Sequence, residues 1–311
     1  MKPEANETQS ENDVDSEENE QGKEIESNED ALPSRAAAIH EKIREEGQKE
    51  LERDGMALLW SAIAAGLSMG ASLMAKGVFQ VHLAGVPGAF LLENLGYAFG
   101  FVIVIMARQQ LFTENTVTAV LPVMHKLTRG NLFLLLRLWG FVLLGNLIGT
   151  ALAALAFNQM PVFDEPTREA FSAISEKVME NSPGEMFGKA VISGWIIATM
   201  VWMFPNAGAA KIFVIIMMTW LVALGDLTHI VVGSVEILYL VFDGAISWHE
   251  FFWPFALPTL LGNITGGTLI FALISHAQIR NDMSEAAKAK AKAQAQEQSS
   301  QKETNTDVSE G

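Results

Sequence analysis

One tetrapeptide, found twice, limits what this chain can fold into. Leu143-Leu144-Gly145-Asn146 returns 117 residues later as Leu260-Leu261-Gly262-Asn263, each time inside a long apolar run. Gly149 and Leu152 return at the same offset as Gly266 and Leu269, and a gap-free count pairs Phe112 with His229. Those two residues lie where polar side chains interrupt apolar stretches of membrane length, at Arg108-Gln109-Gln110-Leu111-Phe112-Thr113-Glu114-Asn115 and Gly225-Asp226-Leu227-Thr228-His229. The chain reads as two copies of one unit, each with an interrupted helix. Matched interruptions in the two halves of a membrane protein point to a path for solute between them.

Composition separates the parts. Half of the 311 residues are hydrophobic, yet the net charge is −15. Residues 1–54 carry 18 acidic and 7 basic side chains, whereas residues 55–275 carry 12 and 9. The acidity therefore belongs to an N-terminal tail, and the core is nearly neutral. No basic footprint suits nucleic acid. With no cysteine there is no disulfide or thiolate site. Residues 1–33 are expected to be a disordered acidic tail, and residues 34–55 an amphipathic helix capped by Ser34, lying on the membrane surface or serving as a solvated linker. Residues 56–276 form the transmembrane domain, and residues 277–311 a polar C-terminal tail.

Within that domain six spans can be drawn: Met56 to about Val78, Ala89–Ala107, Leu132–Phe157, Phe187–Phe204, Ile212–Val241 with a break near Gly225, and Phe251–Ser275. Each is long enough for a hydrocarbon layer of about 30 Å. Arg44, Lys49, Arg53, Lys126, Arg129, Lys211 and Arg280 share one side if both termini are cytoplasmic. The opposite loop around Asp164–Glu185 is mostly acidic, and Lys76 fits this pattern less well. Three spans per copy then make the repeats inverted. The expected fold is an all-α membrane protein of six transmembrane helices, with the second and fifth broken. Gly66/Gly70, Gly96/Gly100, Gly145/Gly149 and Gly262/Gly266 are spaced for close helix packing. Trp60, Trp248 and Trp253 suit the membrane interface, and the lipid itself is an expected partner.

The chemistry concentrates at the breaks. His229 is the one histidine near mid-membrane, where an ionisable group is costly and by default a functional candidate. Its ordinary pKa of about 6.5 suits proton donation to a weak acid or a switchable charge. The alternative is a neutral core histidine bonded to a facing helix. Broken helices turn the positive ends of their dipoles inward, which favours anions. Leu111 and Phe112 are bulky apolar residues at such a break, suited to a constriction that gates by dewetting. Thr113 offers a hydroxyl to substrate or to His229. Asp226 and Glu114 flank the breaks and could face vestibules, while Glu93 and Glu236 suit the bundle interior or an oligomer contact. No metal-ligand cluster, phosphate loop or nucleophile–base pair stands out, so neither cofactor, metal nor enzymatic activity is expected.

On Leu111-Phe112-Thr113, His229 and the two Gly-Asn-x-x-Gly segments, residues 35–275 resemble the formate/nitrite transporter family. The resemblance implies an aquaporin-like protomer in a homo-pentamer of a bacterial inner membrane, with one pore per protomer. It implies formate, nitrite, hydrosulfide or a similar monovalent anion as substrate, commonly coupled to protons at the central histidine. It also adds Asn263 to the pore residues and places Tyr97, Phe101, Val201 and Val222 near the constrictions. The sequence departs from the family at Arg108, Gln109, Gln110 and Glu114. Thr228 replaces a glutamate, Gly233 an asparagine, and Ile197-Ala198 a small-residue–Asn pair. Those departures thin the polar network and keep a neutral-solute channel, or a scaffold working through the acidic tail, as alternatives.

Overall fold

The computed structural model describes residues 35–282, together with 284 and 288. The expected Ser34 cap, the disordered N-terminal tail and most of the polar C-terminal tail lie outside the described residues. Two compact units are present, one of Lys42–Ser275 and one of residues 1–41 with 276–311. In the smaller unit the described feature is a pair of tilted imidazoles, His40 and His276, with ring centroids 5.5 Å apart.

The larger unit is all-helical. Its elements are α1 (Arg35–Glu52, shared with the smaller unit), α2 (Gly55–His82), α3 (Ala89–Leu95), α4 (Ala98–Met106), α5 (Val120–His125), α6 (Arg129–Gln159), α7 (Glu165–Met179), α8 (Pro183–Ala207), α9 (Lys211–Leu224) and α10 (Ile230–Asp243). A final apolar stretch runs through Phe251–Ala256, α11 (Leu257–Ile264) and Thr265–Ala272. The starts of these helices are capped by their own sequence. Asp54 accepts from the amides of Met56 and Ala57 at α2. Thr128 accepts from Asn131 at α6, and Ser182 forms a capping box with Glu185 at α8. Such side chains satisfy amides that the first helical turn leaves unpaired.

Among the described residues, five helical stretches are long and apolar enough to cross a membrane: Gly55–His82, Ala89–Met106, Arg129–Gln159, Pro183–Leu224 and Trp248–Asp282. Pro183–Leu224 combines two of the spans drawn from sequence, which part at Ala207–Lys211, where Gly208 takes a positive φ of 46°. α10 has 14 residues, roughly 21 Å of helix, too short to cross alone.

Close packing recurs in two places. A Cβ on Gly149 would strike the Ile63 carbonyl, and one on Gly145 would lie 2.8 Å from the Leu59 carbonyl oxygen, so α6 seats directly on the backbone of α2. In the second half, Gly262 and Gly266 face the carbonyls of Phe187 and Val191 in the same way, seating the last stretch on α8. Without a hydrophobic drive between helices in lipid, such approach is what lets them associate. Gly66 and Gly194 open the reciprocal space, facing backbone of Asn146 and Asn263 respectively.

One expectation is overturned here. The segment Asp164–Glu185 is not a loop: Asp164 caps α7, whose Phe171 and Ile174 are buried. Phe171 fills the space above Gly77 and packs with Phe157, Phe163 and Tyr239. α1 is likewise seated on protein within the larger unit, with Ile43 and Leu51 buried and the carbonyls of Leu51 and of Arg53, just past its end, accepting from Arg137.

Candidate functional site

The site is built from two helix endings. α4 ends with the amides of Arg108 and Gln109 donating to the carbonyls of Ile105 and Val104. α9 ends with those of Asp226 and Leu227 donating to Ala223 and Val222. Both are Schellman endings, which require a left-handed residue just past the helix. Arg108 and Asp226 fill that position, each with φ 51°, and among the described residues they are the non-glycine residues with positive φ. The corresponding residues are 118 apart, not 117. The gap-free pairing of Phe112 with His229 is therefore corrected by one residue: Leu111 occupies the place of His229, and Phe112 that of Ile230.

The chain beyond each ending is held by one buried asparagine. Asn146 Oδ1 accepts the Phe112 amide at 2.9 Å, while its Nδ2 donates to the carbonyls of Ala62 and Gln110. Asn263 Oδ1 accepts the Ile230 amide at 2.9 Å, while its Nδ2 donates to the Ala190 carbonyl and to Ser193 Oγ. Ser193 Oγ in turn donates to the Thr228 carbonyl. These bonds pair backbone that would otherwise be orphaned at this depth, where each unmet group costs several kcal/mol by order of magnitude. In sequence Asn146 stands only in the repeated tetrapeptide and not among the pore residues, although the repeat makes it the counterpart of Asn263.

His229 and Thr113 join the two endings. His229 caps α10, its Nδ1 accepting from the amides of Val231 and Val232 at 3.3 Å each. That hydrogen-bond network assigns the ring proton to Nε2 when the ring is neutral, and Nε2 lies 2.8 Å from Thr113 Oγ1. With the Thr113 oxygen accepting, its own proton is free to donate. The ring also meets Phe101 edge-on at 5.2 Å, and Phe101 contacts Tyr97 at 5.4 Å, so Tyr97, Phe101, His229 and Thr113 form one continuous line. Leu111 and Phe112 are both buried, and the Phe112 ring rests on Trp139. Val201 and Val222 are buried as well. The Thr228 hydroxyl points to the Met186 carbonyl, 2.8 Å away.

Two cavities lead to this line. The inner one, about 30 Å³, is bordered by His229, Thr228, Tyr97, Lys76, Glu236 and Asp226. The outer one, about 410 Å³, includes Lys76, Asp226, Lys177, Glu93 and Asn94 in its wall. Lys76, Val178 and Asp226 belong to both. Asp226 lies 3.2 Å from Lys177 and 3.1 Å from Lys189, and the cavity walls carry both signs of charge, Lys76 and Lys177 beside Glu93, Asp226 and Glu236. Lys177 stands in the wall of the outer cavity because α7 folds back over it. Among the described residues no cluster of three or more metal-ligating side chains of the His, Cys, Asp and Glu types occurs.

The sequence profile of the formate/nitrite transporter family matches residues 37–277. The chain belongs to that family. It is 74% identical over 275 residues to the inner membrane protein YfdC of Escherichia coli (strain K12), covering 88% of this chain and 89% of that protein. Among solved structures it matches a pentameric formate channel with formate bound, at a TM-score of 0.62 and 20% identity, over 73% of this chain and 97% of the other. It also matches an FNT family ion channel at a TM-score of 0.66 and 17% identity, over 76% and 96%. At those identities the structures speak for the shared fold. The chain is a helical transmembrane channel or transporter of this family, and not an enzyme.

Proposed function

We propose that this protein carries a small monovalent weak-acid anion, of the formate or nitrite kind, through each protomer of a homo-pentamer in the bacterial inner membrane. In this reading the chain makes six spans in two inverted repeats, with both termini cytoplasmic. Ala89–Met106 is continued by α5, and α9 is continued by α10, so the second and fifth spans are the broken ones. Residues 1–33 and 277–311 are polar tails outside the channel. The recurrence of the Schellman ending, the left-handed residue and the asparagine clasp supports the repeat. Apolar residues exposed on the outside, such as Trp60, Phe133 and Leu136, suit lipid or a neighbouring protomer.

The observation that carries the reading is the Thr113–His229 bond at the inner end of a cavity whose wall includes Lys76. An anion drawn in by Lys76 and Lys177 reaches a narrow line formed by Tyr97 and Phe101. A bare anion crosses low dielectric at great cost, and its conjugate acid crosses far more easily. His229 is placed to exchange that proton, with Thr113 as the hydroxyl between ring and substrate. Charging the ring at Nδ1 gives up the cap on α10, so proton uptake and the backbone of the break are coupled. Leu111 and Phe112 form the constriction on the far side, and Asn263, Thr228, Val201 and Val222 hold its walls.

The neutral-solute reading has one observation in its favour: Asp226 neutralises part of the charge of Lys177 and Lys189. Uptake of formate, nitrite and hydrosulfide into proteoliposomes, alongside urea and glycerol, separates the two. Saturable flux of the acids with no flux of the neutral solutes is the expected result. The reverse pattern removes the anion reading.

A further inference from the structure

Between the vestibule and His229 stands a set of polar groups of which the path just described uses only the charge of Lys76 and the ring of Tyr97. Glu236 is on the buried helix α10 and is 4% exposed. Its Oε1 lies 3.6 Å from Lys76 Nζ, an ion pair too long to be a hydrogen bond. The same oxygen is buried with no hydrogen-bond partner, and so is the Tyr97 hydroxyl, on a residue also 4% exposed. Lys76 Nζ sits 5.8 Å from the Tyr97 ring centroid. All three side chains border the inner cavity that touches His229. A buried donor and a buried acceptor that bond neither each other nor any other group are costly to keep, by about 1–3 kcal/mol each, unless something that arrives satisfies both.

We propose that Tyr97, Glu236 and Lys76 form a transit subsite that recognises a small carboxylic acid or its anion immediately before His229. This rests on the transport reading above. The Tyr97 hydroxyl donates to an acyl oxygen of the solute. Glu236 Oε1 accepts from the acid O–H, or Lys76 takes the second oxygen when the solute is the anion. The inner cavity of about 30 Å³ is roughly two to three times the space one water needs by the same measure, which admits a molecule of up to about three heavy atoms and excludes a bulky acid. The ion pair has a second consequence. An unpaired buried lysine would bind an anion deeply and release it slowly, whereas a site must bind weakly enough to let the ion leave. Glu236 brings the net charge of the subsite to zero. Asp226, with Lys177 and Lys189 on its outer side, stands at the neck and is neutralised in the same manner.

The test is concentration-dependent flux of formate and of hydrosulfide in proteoliposomes containing the full-length protein, with each variant confirmed to elute as the wild-type assembly. Tyr97→Phe removes only an unbonded buried oxygen, so the fold should tolerate it. One lost hydrogen bond should raise the half-saturation concentration for formate about tenfold, with hydrosulfide, a poor hydrogen-bonding solute of one heavy atom, unchanged. Glu236→Gln should lower both the half-saturation concentration and the maximal flux, and Glu236→Gln combined with Lys76→Met should bring the maximal flux back. Formate kinetics unchanged in Tyr97→Phe, or formate and hydrosulfide shifted alike, overturns the subsite even if Glu236→Gln fails to assemble. A wild-type protein that carries neither solute overturns the transport reading, and the subsite with it.

Discussion

The two helix endings at Arg108 and Asp226 share a backbone and differ in what hangs on it. Each is a Schellman ending, each bends through a left-handed non-glycine residue, and each is clasped by an asparagine from a later helix. In the first, Leu111 and Phe112 fill the bend and only short helical pieces follow, Glu114–Thr116 and Val120–His125. In the second, Thr228 and His229 occupy the bend, and His229 starts a 14-residue helix buried almost throughout. One geometry thus presents a dry wall from one side and an ionisable ring from the other. The lesson is that the clasp is architecture and the side chains at Leu111 and His229 are the chemistry.

The comparison can be broken most forcefully at the clasps. Asn146→Ala strips the Phe112 amide and the Ala62 and Gln110 carbonyls of their partner, and should cost on the order of 3 kcal/mol or more. Asn263→Ala should cost less, because Ser193 Oγ keeps its bond to the Thr228 carbonyl. Thermal unfolding midpoints in detergent give the ranking, and equal losses would argue that the two clasps are energetically alike. A smaller effect separates the left-handed residues. Arg108→Gly should relieve about 1 kcal/mol of backbone strain. Asp226→Gly relieves the same strain but frees Lys177 and Lys189, so its gain should be smaller. It should also lower the half-saturation concentration for anions at low salt, with the difference fading as salt rises.

The smallest effect lies outside the membrane, at the cap of α7. The Asp164 carboxyl is held below the usual carboxylate range, chiefly by its hydrogen bond with the Thr167 side chain. A lowered folded value means that its contribution is fully present above the unfolded value of about 3.9 and is lost as pH falls through the folded one. Asp164→Asn should therefore differ from wild type by a small, constant amount between pH 5 and 8, with the difference shrinking only in stronger acid. A difference that varied within that neutral range would mean another group is linked to the cap.

Much of this was legible in the sequence because repetition is visible without coordinates. The Gly-Asn segments and the two polar interruptions follow from it, whereas Thr113 reads from sequence only as offering its hydroxyl to substrate or to His229. The single-residue error in register arose because the spacing from break to clasp differs by one between halves, which a gap-free count cannot register. α7 reads in sequence as part of the loop joining two spans, although Asp164 as cap and the Phe171, Ile174 and Val178 spacing mark a helix. Lys76 looked misplaced because its partner, Glu236, is a long-range contact that no local pattern announces.

The central claim is that the neutral, cap-forming ring of His229, bonded to Thr113 where the two breaks meet, exchanges a proton with the passing weak acid. His229→Asn tests it most directly, since asparagine is itself a strong N-cap and can bond Thr113, yet does not titrate. Formate flux into proteoliposomes should be measured across pH 5–8 for wild type and variant, with the oligomer checked beside it. The account predicts an intact assembly that still conducts, with an altered pH dependence. The same flux and the same pH dependence in the variant would contradict it and leave His229 as a capping residue.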